Sequence, residues 1–347
     1  MRFYTKQHQF YCGIDLHTNK MYLCILNDEG KVVLHRNIRT NPDIFLNAIR
    51  PFRDDIVVSA ECMFFWYWLA DLCEDENIPF ILGHALYMRA IHGGKSKNDK
   101  IDSHKIAALL RGGLIPMAYV YPSKMRATRD LMRRRNHFMR KRAELLAHIQ
   151  NTASQYNLAP LGRIARPKNR DGVLEHFYDP DVQMSIAADL SMIDIYDQVL
   201  AVLEQDIVKS AREHDSVAYS LLKTIPGVGK IIALNLLYEI EDISRFPKVQ
   251  NFASYCRLVK CAKESNGKKY GSSGKKIGNA HLRWAFSEAA QLFLKSNEPG
   301  CKYLQKIASK HGKGKALSIL AHKLGRAVYY MLKNKQVFDM NRFLATN

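Results

Sequence analysis

Two aspartates, Asp99 and Asp102, stand three positions apart among the lysines of the stretch KNDKIDSHK, at residues 97–105. In a helix, residues at this spacing share one face, so both carboxylates would point the same way. Like charges this close repel each other, which leaves two explanations open. Either the neighbouring lysines neutralise the carboxylates in salt bridges, or a divalent cation such as Mg²⁺, which prefers hard oxygen ligands, binds between them.

Two further acids stand at the ends of apolar runs. Asp15 follows FYCGI, and Glu61 ends IVVSAE. If these runs are neighbouring strands, the two carboxylates meet at one edge of the sheet. Taken alone, each acid is better explained as a helix cap or a surface charge than as a metal ligand. As an ordered set, the four acids favour a metal-dependent nucleic-acid site, because two divalent ions about 3.5–4 Å apart stabilise both the attacking and the leaving oxygens of a phosphodiester.

The surrounding sequence predicts an α/β sheet that could hold these acids. Three consecutive strands run from Phe10 to Ile38, and IVVSAE and IPFILG add a fourth and a fifth strand. The stretches FFWYWLADLCED and DSHKIAALLRGG read as helices, and the second ends at Gly112. This order favours a mixed α/β sheet of the RNase-H-like kind, although periodicity alone does not select that fold over other α/β sheets.

A long helical pattern begins after Pro122, with apolar residues seven positions apart. Between Ser123 and Arg142, nine basic residues stand against one acid, Asp130, so the face away from the apolar seam is expected to be positive. Either this is a solvated face of a structural helix, or it binds phosphates and releases counterions. The phosphate-binding candidates are Arg133, Arg134, Arg135, Arg140, Lys141 and Arg142. A second helix is predicted from about Ala187 to Glu213, forming with the first an antiparallel hairpin or a dimer contact.

The last third of the chain begins with a short turn, PGVGK, at residues 226–230 between apolar helical segments. This pattern is typical of a helix-hairpin-helix, in which glycines such as Gly227 and Gly229 let backbone N–H groups approach a DNA phosphate, with Lys230 beside them. An ordinary tight turn between helices is the alternative. After the segment FASYCRLVK, at residues 252–260, the sequence predicts a loop rich in glycine, serine and lysine from Lys263 to Gly278.

Charge and cysteine content narrow the class of protein. The 347 residues contain 52 lysines and arginines against 33 aspartates and glutamates, a net charge of +19, which indicates a polyanionic partner. Nucleic acid is the leading interpretation, while ribosomal or membrane-surface binding would also explain the charge. The seven cysteines form no C-x-x-C pair. With no apolar leader and no run long enough to span a bilayer, we expect a cytoplasmic protein.

Three of these motifs together resemble a known family. GID at residues 13–15, AE at residues 60–61 and KNDKID at residues 97–102 resemble the acidic tetrad of the DEDD transposases of the insertion-sequence one-ten family, related to the pilin-gene invertases. The stretch from Phe252 to Ala290 resembles that family's transposase domain. With PGVGK between them, the resemblance covers nearly the whole chain.

The resemblance implies three regions. These are a RuvC-like α/β domain at residues 1–118, a basic helical or coiled-coil region at 119–215, and a mainly helical transposase domain at 216–347. It also implies a DNA recombinase that excises and inserts its own mobile element. Its partners would be double-stranded DNA at the element ends and the target, a bridge RNA that guides it, and further copies of itself, as a dimer or tetramer. We therefore expect a cytoplasmic, nucleoid-associated enzyme without a membrane contact.

The resemblance further implies that a serine forms a covalent link to DNA while the acidic tetrad of a partner subunit, with Mg²⁺ or Mn²⁺, completes the site. The matching serine is Ser265, and Asp15, Glu61, Asp99 and Asp102 are the metal ligands. Ser272 and Ser273 remain alternatives, as does a simple phosphate-binding role for Ser265. The lysines expected to contact phosphates are Lys97, Lys100, Lys263, Lys268, Lys269, Lys275 and Lys276. Two other hypotheses stay open: a RuvC-like nuclease or junction resolvase without serine chemistry, and a non-enzymatic nucleic-acid-binding protein.

Overall fold

The computed structural model describes residues 2–91, 98–273 and 277–345. The chain divides into two compact units, Met1–Ser123 and Lys124–Asn347. The first is a mixed α/β unit, and the second is mainly helical, as the sequence predicts. The finer division into regions at 1–118, 119–215 and 216–347 stays a prediction. Within the described residues, no helix combines the length and apolar character needed to cross a bilayer.

The first unit is built on a five-stranded sheet in the order β3-β2-β1-β4-β5. Its strands are β1 (Phe10–Leu16), β2 (Lys20–Asn27), β3 (Val32–Arg39), β4 (Ile56–Glu61) and β5 (Phe80–Gly83). The first three strands pair antiparallel, and β4 and β5 continue the sheet parallel to β1. The apolar side chains of β1, β2 and β4 form nearly continuous runs, so both faces of the sheet are buried and each requires helices to cover it.

Helices cover both faces of this sheet. They are α1 (Pro42–Ile49), α2 (Tyr67–Asp75), α3 (Ala85–Ile91) and α4 (Asp99–Arg111). One face packs Ile14 with Phe45 of α1 and Leu69 of α2. The opposite face packs Tyr11 with Ile106 of α4. Since side chains on a strand alternate between faces, the odd-numbered residues of β1 point toward α4.

The second unit begins with two long helices, α5 (Ser123–Gln155) and α6 (Pro180–Lys223). Arg135 pairs with Glu204, and Arg142, further along α5, pairs with the earlier residue Asp197. The helices therefore run antiparallel within one chain, the hairpin alternative of the sequence interpretation. Helix α6 begins seven residues before the predicted start, because the side chain of Asp179 caps it and a proline occupies its first turn.

The remaining elements pack around a helical core. They are α7 (Lys230–Ile240), α8 (Val249–Tyr255), β6 (Cys261–Ser265), β7 (Lys268–Ser273), α9 (Ala280–Phe293), α10 (Glu298–His311), α11 (Lys313–Asn334) and α12 (Met340–Leu344). Buried side chains from α7, α9 and α11, such as Leu234, Phe286 and Leu324, form its centre. In place of the predicted loop, β6 and β7 form a hairpin, because Asn266 and Gly267 both adopt the positive φ of a two-residue turn.

Candidate active site

The two strand acids lie side by side at the carboxyl edge of the sheet. Strands β1 and β4 are parallel, with Ile14 opposite Ala60, so Asp15 and Glu61 occupy the next position on each strand. Neighbouring strands are about 4.8 Å apart. Ile14 and Ala60 point into the core shared with α1 and α2, so both acids project from the opposite face, which α4 covers. The predicted meeting of Asp15 and Glu61 thus follows from strand register.

Helix α4 reaches this edge because β1 has a glycine where the helix crosses it. A Cβ on Gly13 would lie 2.3 Å from the backbone nitrogen of Ala107 and 2.4 Å from the carbonyl oxygen of Ser103. Such distances leave no space for a side chain. From β3, Nε2 of His35 contacts the carbonyl oxygen of Lys100 at 3.0 Å, which fixes the first turn of α4. That turn carries Asp99 and Asp102.

Capping does not explain these two aspartates. The cap of α4 is Asn98, whose Oδ1 accepts a hydrogen bond from the backbone N–H of Ile101 at 2.8 Å. Both aspartates lie in the first turn, where the partial positive charge of the helix N-terminus stabilises carboxylates. Asp102 also has the predicted salt-bridge partner, because Nζ of Lys105 lies 3.3 Å from its Oδ1. Neutralisation by lysine is therefore part of the arrangement.

A histidine that the sequence analysis missed lies between the strand and the helix. Nε2 of His17 is 3.5 Å from Oδ2 of Asp15 and 3.7 Å from Oδ1 of Asp99. One ligand atom from each of these three residues lies within 4.8 Å of the other two. The available signal was position, since His17 stands two residues after Asp15, just beyond the end of β1. We call Asp15, His17, Glu61, Asp99 and Asp102 the acidic cluster.

The environment of Asp15 fits a cation-binding role. Burial raises the pKa of this carboxyl, the charges of Asp99 and Asp102 raise it further, and His17 opposes them. The carboxylates therefore destabilise one another when all are ionised. Carboxylate oxygens are the ligands that Mg²⁺ and Mn²⁺ prefer, and a bound divalent ion would offset this repulsion. The donor set thus fits a divalent metal.

The serine implied by the family resemblance lies in the second unit. Ser265 is exposed, ends β6, and pairs with Lys268 across the two-residue turn of the hairpin. Lys268 is also exposed. The side chains of Lys263, Lys269, Ser272 and Ser273 are not among those described. Lys97, Lys275 and Lys276 lie outside the described residues, so their predicted roles stay predictions.

The N-terminus of α9, which follows the hairpin in the chain, is held by a buried ion network. Asn279 caps α9, and its Nδ2 donates a hydrogen bond to Oε2 of Glu239 at 2.7 Å. Glu239 also accepts from Arg129 and Arg133 of α5. Burial alone would raise the pKa of Glu239, but the hydrogen bond from Arg133 and both guanidinium charges outweigh it and lower the pKa to about 2. The N-terminus of α9 is therefore linked to α5 through one carboxylate of α7.

The basic residues of α5 do not share one exposed face. Arg135 and Arg142 are buried and donate to Glu204 and Asp197 across the helical hairpin. Arg133 belongs to the Glu239 network. The expectation of a continuous exposed basic face is wrong at these positions, because the heptad spacing that buries apolar residues also turns arginines toward acids on α6 and α7. The residues of the predicted set that remain exposed are Arg134, Arg140 and Lys141.

The turn before α7 also has a packing explanation. A Cβ on Gly227 would lie 2.4 Å from backbone atoms of Leu292 and Phe293 in α9, so this glycine allows two helices to touch. Gly229 precedes the first residue of α7 and faces open space. Nζ of Lys230 lies 2.7 Å from Oε2 of Glu204. Of the three predicted phosphate-binding positions in this turn, Gly227 is closed by α9, whereas Gly229 has open space around it and Lys230 is exposed but paired with Glu204.

Comparison with known proteins gives consistent matches in both units. A family model for the DEDD transposases of IS110 elements, described as "Transposase", matches residues 12–158. A second model, "Transposase IS116/IS110/IS902 family", matches residues 219–305. The chain is also 21% identical over 344 residues to the transposase for insertion sequence element IS1111A of Coxiella burnetii, covering 94% of this chain and 90% of that protein. The first match spans Asp15, Glu61, Asp99 and Asp102, and the second spans Ser265.

Proposed function

We propose that this chain, which belongs to the IS110 family of insertion-sequence transposases, enzymes that act on DNA, cuts and rejoins DNA through a covalent link to Ser265, with a divalent metal held by the acidic cluster. The observation that carries this proposal is the convergence of Asp15, Glu61 and the first turn of α4 at one edge of the sheet. We assign the first unit to the RuvC-like fold, which the strand order β3-β2-β1-β4-β5 supports.

Asp15, Glu61, Asp99 and Asp102 would hold Mg²⁺ or Mn²⁺. A bound divalent cation polarises a phosphodiester and stabilises the charge that develops on its oxygens. His17, in contact with Asp15 and Asp99, would orient both carboxylates. Lys105 would hold Asp102 in place through its salt bridge, while the exposed Lys100 contributes positive charge beside the DNA backbone.

Ser265 would attack a phosphorus atom of the DNA. The Oγ–P bond forms, the bond from phosphorus to one deoxyribose oxygen breaks, and that oxygen takes a proton as the serine hydroxyl loses one. A serine is a weak nucleophile without activation, so nearby positive charge must stabilise the transition state. Lys268, paired with Ser265 across the turn, is placed to contribute it.

The net charge and the exposed apolar residues of the protein support its proposed partners, which are nucleic acids and further copies of the chain. The net charge of +19 suits double-stranded DNA at the element ends and target, and it suits the bridge RNA that the family resemblance implies. Exposed apolar residues on α6 support self-association into a dimer or tetramer. We name Met184, Met192, Ile195, Val199 and Val202, which are 36% to 73% exposed, the α6 stripe. We place the enzyme in the cytoplasm with the nucleoid.

The test is a search for a covalent protein–DNA adduct. Protein is incubated with element-end DNA, the RNA encoded beside the gene, and Mg²⁺, and the products are separated under denaturing conditions. We expect wild type to form an adduct that Asp102→Ala and Ser265→Ala both lose. Ser309→Ala, at an exposed serine on α10, is the matched control and should form the adduct normally.

The two variants separate the competing mechanisms. If Ser265→Ala still cuts DNA while Asp102→Ala does not, the protein is a RuvC-like nuclease that uses water, and the serine assignment fails. If none of the proteins cuts DNA under any condition with Mg²⁺ or Mn²⁺, while DNA binding persists without metal, the enzymatic proposal itself fails.

A further inference from the structure

The end of the second unit contains a cavity whose lining includes no residue of the acidic cluster or of the serine hairpin. It has a volume of about 690 Å³ and lies between the second half of α11 and the short helix α12. This volume falls within the range of ligand pockets, about 300–1,000 Å³. None of the roles proposed above uses this cavity.

Basic side chains line the cavity from two helices. Arg326 and Lys323 come from α11, and Arg342 comes from α12. Among the described residues, neither arginine forms an ion pair with a carboxylate. Asp339 also lines the cavity, but its Oδ1 accepts the backbone N–H of Arg342 at 3.0 Å and caps α12. The lining thus carries three cations against one acid, which favours an anionic group such as a phosphodiester.

Three aromatic residues, Tyr330, Phe338 and Phe343, also line the cavity. Tyr330 is 42% exposed, so its ring is accessible for stacking. The rings of Phe338 and Phe343 lie 5.1 Å apart, and Phe343 is buried against Phe293 of the core. An exposed aromatic ring beside guanidinium groups is the arrangement with which proteins bind single-stranded nucleic acids, by stacking bases and neutralising the backbone.

We propose that this cavity binds one unpaired nucleotide of a nucleic-acid strand. The base stacks on Tyr330 above the apolar floor of Phe338 and Phe343, and the adjoining phosphodiester lies between Arg326 and Arg342. A base within a duplex is already stacked on its neighbours, so an extruded or single-stranded nucleotide is required. DNA and RNA strands share this chemistry, and the experiment below distinguishes them.

The test measures binding of labelled short strands of oligothymidylate or oligouridylate to the full-length protein by fluorescence anisotropy, without divalent cation. We expect Tyr330→Leu and Arg326→Gln each to weaken binding by about tenfold, the loss typical of one stacked base or one desolvated charge. The matched controls are Tyr178→Leu, at a tyrosine that is 87% exposed on the unit's surface, and Arg166→Gln, at another exposed arginine. They should bind as wild type does.

Two further measurements make the outcome specific. A strand that carries abasic sites should lose most of its affinity for wild type but little for Tyr330→Leu. Strands that carry 5-iodouracil should crosslink on irradiation to the peptide that contains Tyr330. Stronger binding of one sugar type identifies DNA or RNA as the source of the nucleotide.

Three results would overturn the inference. The first is equal binding of abasic and intact strands by wild type. The second is an equal effect of Tyr330→Leu and Tyr178→Leu on binding. The third is crosslinking only to peptides that do not contain Tyr330. Thermal unfolding of each variant checks that it is folded, and Tyr330 is exposed enough for substitution to preserve the fold. Because the readout is binding without cutting, failure here leaves the cleavage proposal standing, and failure to cut DNA leaves this inference standing.

Discussion

At the scale of single residues, the acidic cluster concentrates negative charge in a protein of strongly positive net charge. Asp15 is directly affected, because it is partly buried and has two other carboxylates near it. This arrangement is unfavourable for the metal-free fold and favourable for a cation ligand. We therefore expect the Asp15 carboxylate to lower the stability of the metal-free protein and to support activity. Substitution of Asp15 is a direct test of the site.

The raised pKa of Asp15 gives a pH dependence with a definite sign. An aspartate with a raised pKa in the folded state binds its proton more tightly there than in the unfolded chain. Stability therefore falls as pH rises from the ordinary aspartate pKa of about 3.9 through the raised value. We expect Asp15→Asn, measured with a chelator at neutral pH, to have a higher Tm than wild type. The difference should vanish below about pH 3.9.

Thermal unfolding across this pH range checks the expectation. Asp54→Asn, at an exposed aspartate of the same unit, is the matched control and should follow wild type at every pH. Added Mg²⁺ should raise the Tm of wild type more than that of Asp15→Asn. A wild type and an Asp15→Asn protein with identical Tm values at all pH values would contradict the charge repulsion inferred for this cluster.

The glycine beneath α4 should be as important to the site as any carboxylate. Gly13→Ala would force α4 away from β1, because the new Cβ meets backbone atoms that cannot rotate aside. We expect a loss of about 1–3 kcal/mol in the free energy of unfolding, measured by denaturant titration, together with loss of DNA cutting. Gly314→Ala, at a glycine with open space in α11, is the control and should be neutral or stabilising.

The sequence indicates where the four acids lie on strand ends and a helix start, whereas their surroundings depend on how these elements pack. The order of Asp15, Glu61, Asp99 and Asp102 was recognisable because strand ends and a helix start have local signals. His17 was missed because its contact with Asp99 depends on where α4 crosses the sheet. The steric role of Gly13 was missed for the same reason, since a glycine within a strand does not reveal which helix lies against it.

At the scale of elements, α5 divides its basic side chains between buried ion pairs and the solvent-exposed surface. Arg135 and Arg142 face acids of α6, whereas Arg134 and Arg140 face solvent. Sequence composition counts all these arginines alike. Their roles separate only once the partner helix is present, because a buried guanidinium requires a carboxylate and an exposed one does not.

This division predicts different effects for two arginines on the same helix. Arg140→Gln should leave the Tm unchanged but weaken DNA binding and reduce the salt dependence of log K by about 1, as expected for one lost phosphate contact. Arg135→Gln leaves Glu204 with Lys230 alone and should destabilise the protein by about 1–3 kcal/mol. Thermal unfolding and DNA titrations at several salt concentrations measure both effects. Equal stability of the two variants would contradict the division.

Element boundaries followed the sequence where local signals decide them. Strand β1 begins at Phe10, as predicted, and the C-cap of α4 is the predicted Gly112. The hairpin of β6 and β7 was predicted as a loop, although the Asn-Gly pair at its turn is a recognised hairpin signal. The pairing of α5 with α6 inside one chain was left open, because heptad patterns do not specify whether the partner helix is local.

At the scale of the whole molecule, the α6 stripe is the surface best suited to association between copies. Met192, Ile195, Val199 and Val202 follow the alternating three and four residue spacing of a coiled-coil seam. They lie on the side of α6 away from the buried residues Ile186, Ile193, Leu200 and Ile207. Helix α6 therefore packs one apolar face against its own chain and exposes a second apolar face to solvent.

Charge on the stripe should prevent this association. We expect wild type to sediment as a dimer or larger species and the double variant Ile195→Glu, Val199→Glu to sediment as a monomer, because two buried like charges per helix oppose packing. Ala201→Glu, exposed on the same helix but outside the stripe, is the matched control. If the double variant has the mass of wild type in sedimentation equilibrium, the stripe is not the self-association surface.

Because Gly13 contacts α4 so closely, selection for folding and selection for transposition should restrict different positions of this chain. A library selected only for soluble, folded protein would tolerate many neutral replacements at Asp15 and reject nearly all replacements at position 13. A library selected for transposition would reject changes at both. Position 13 is therefore restricted under both selections, although glycine has no functional group. Position 15 is restricted only under selection for transposition, so Asp15 can vary in any descendant of the gene that no longer transposes.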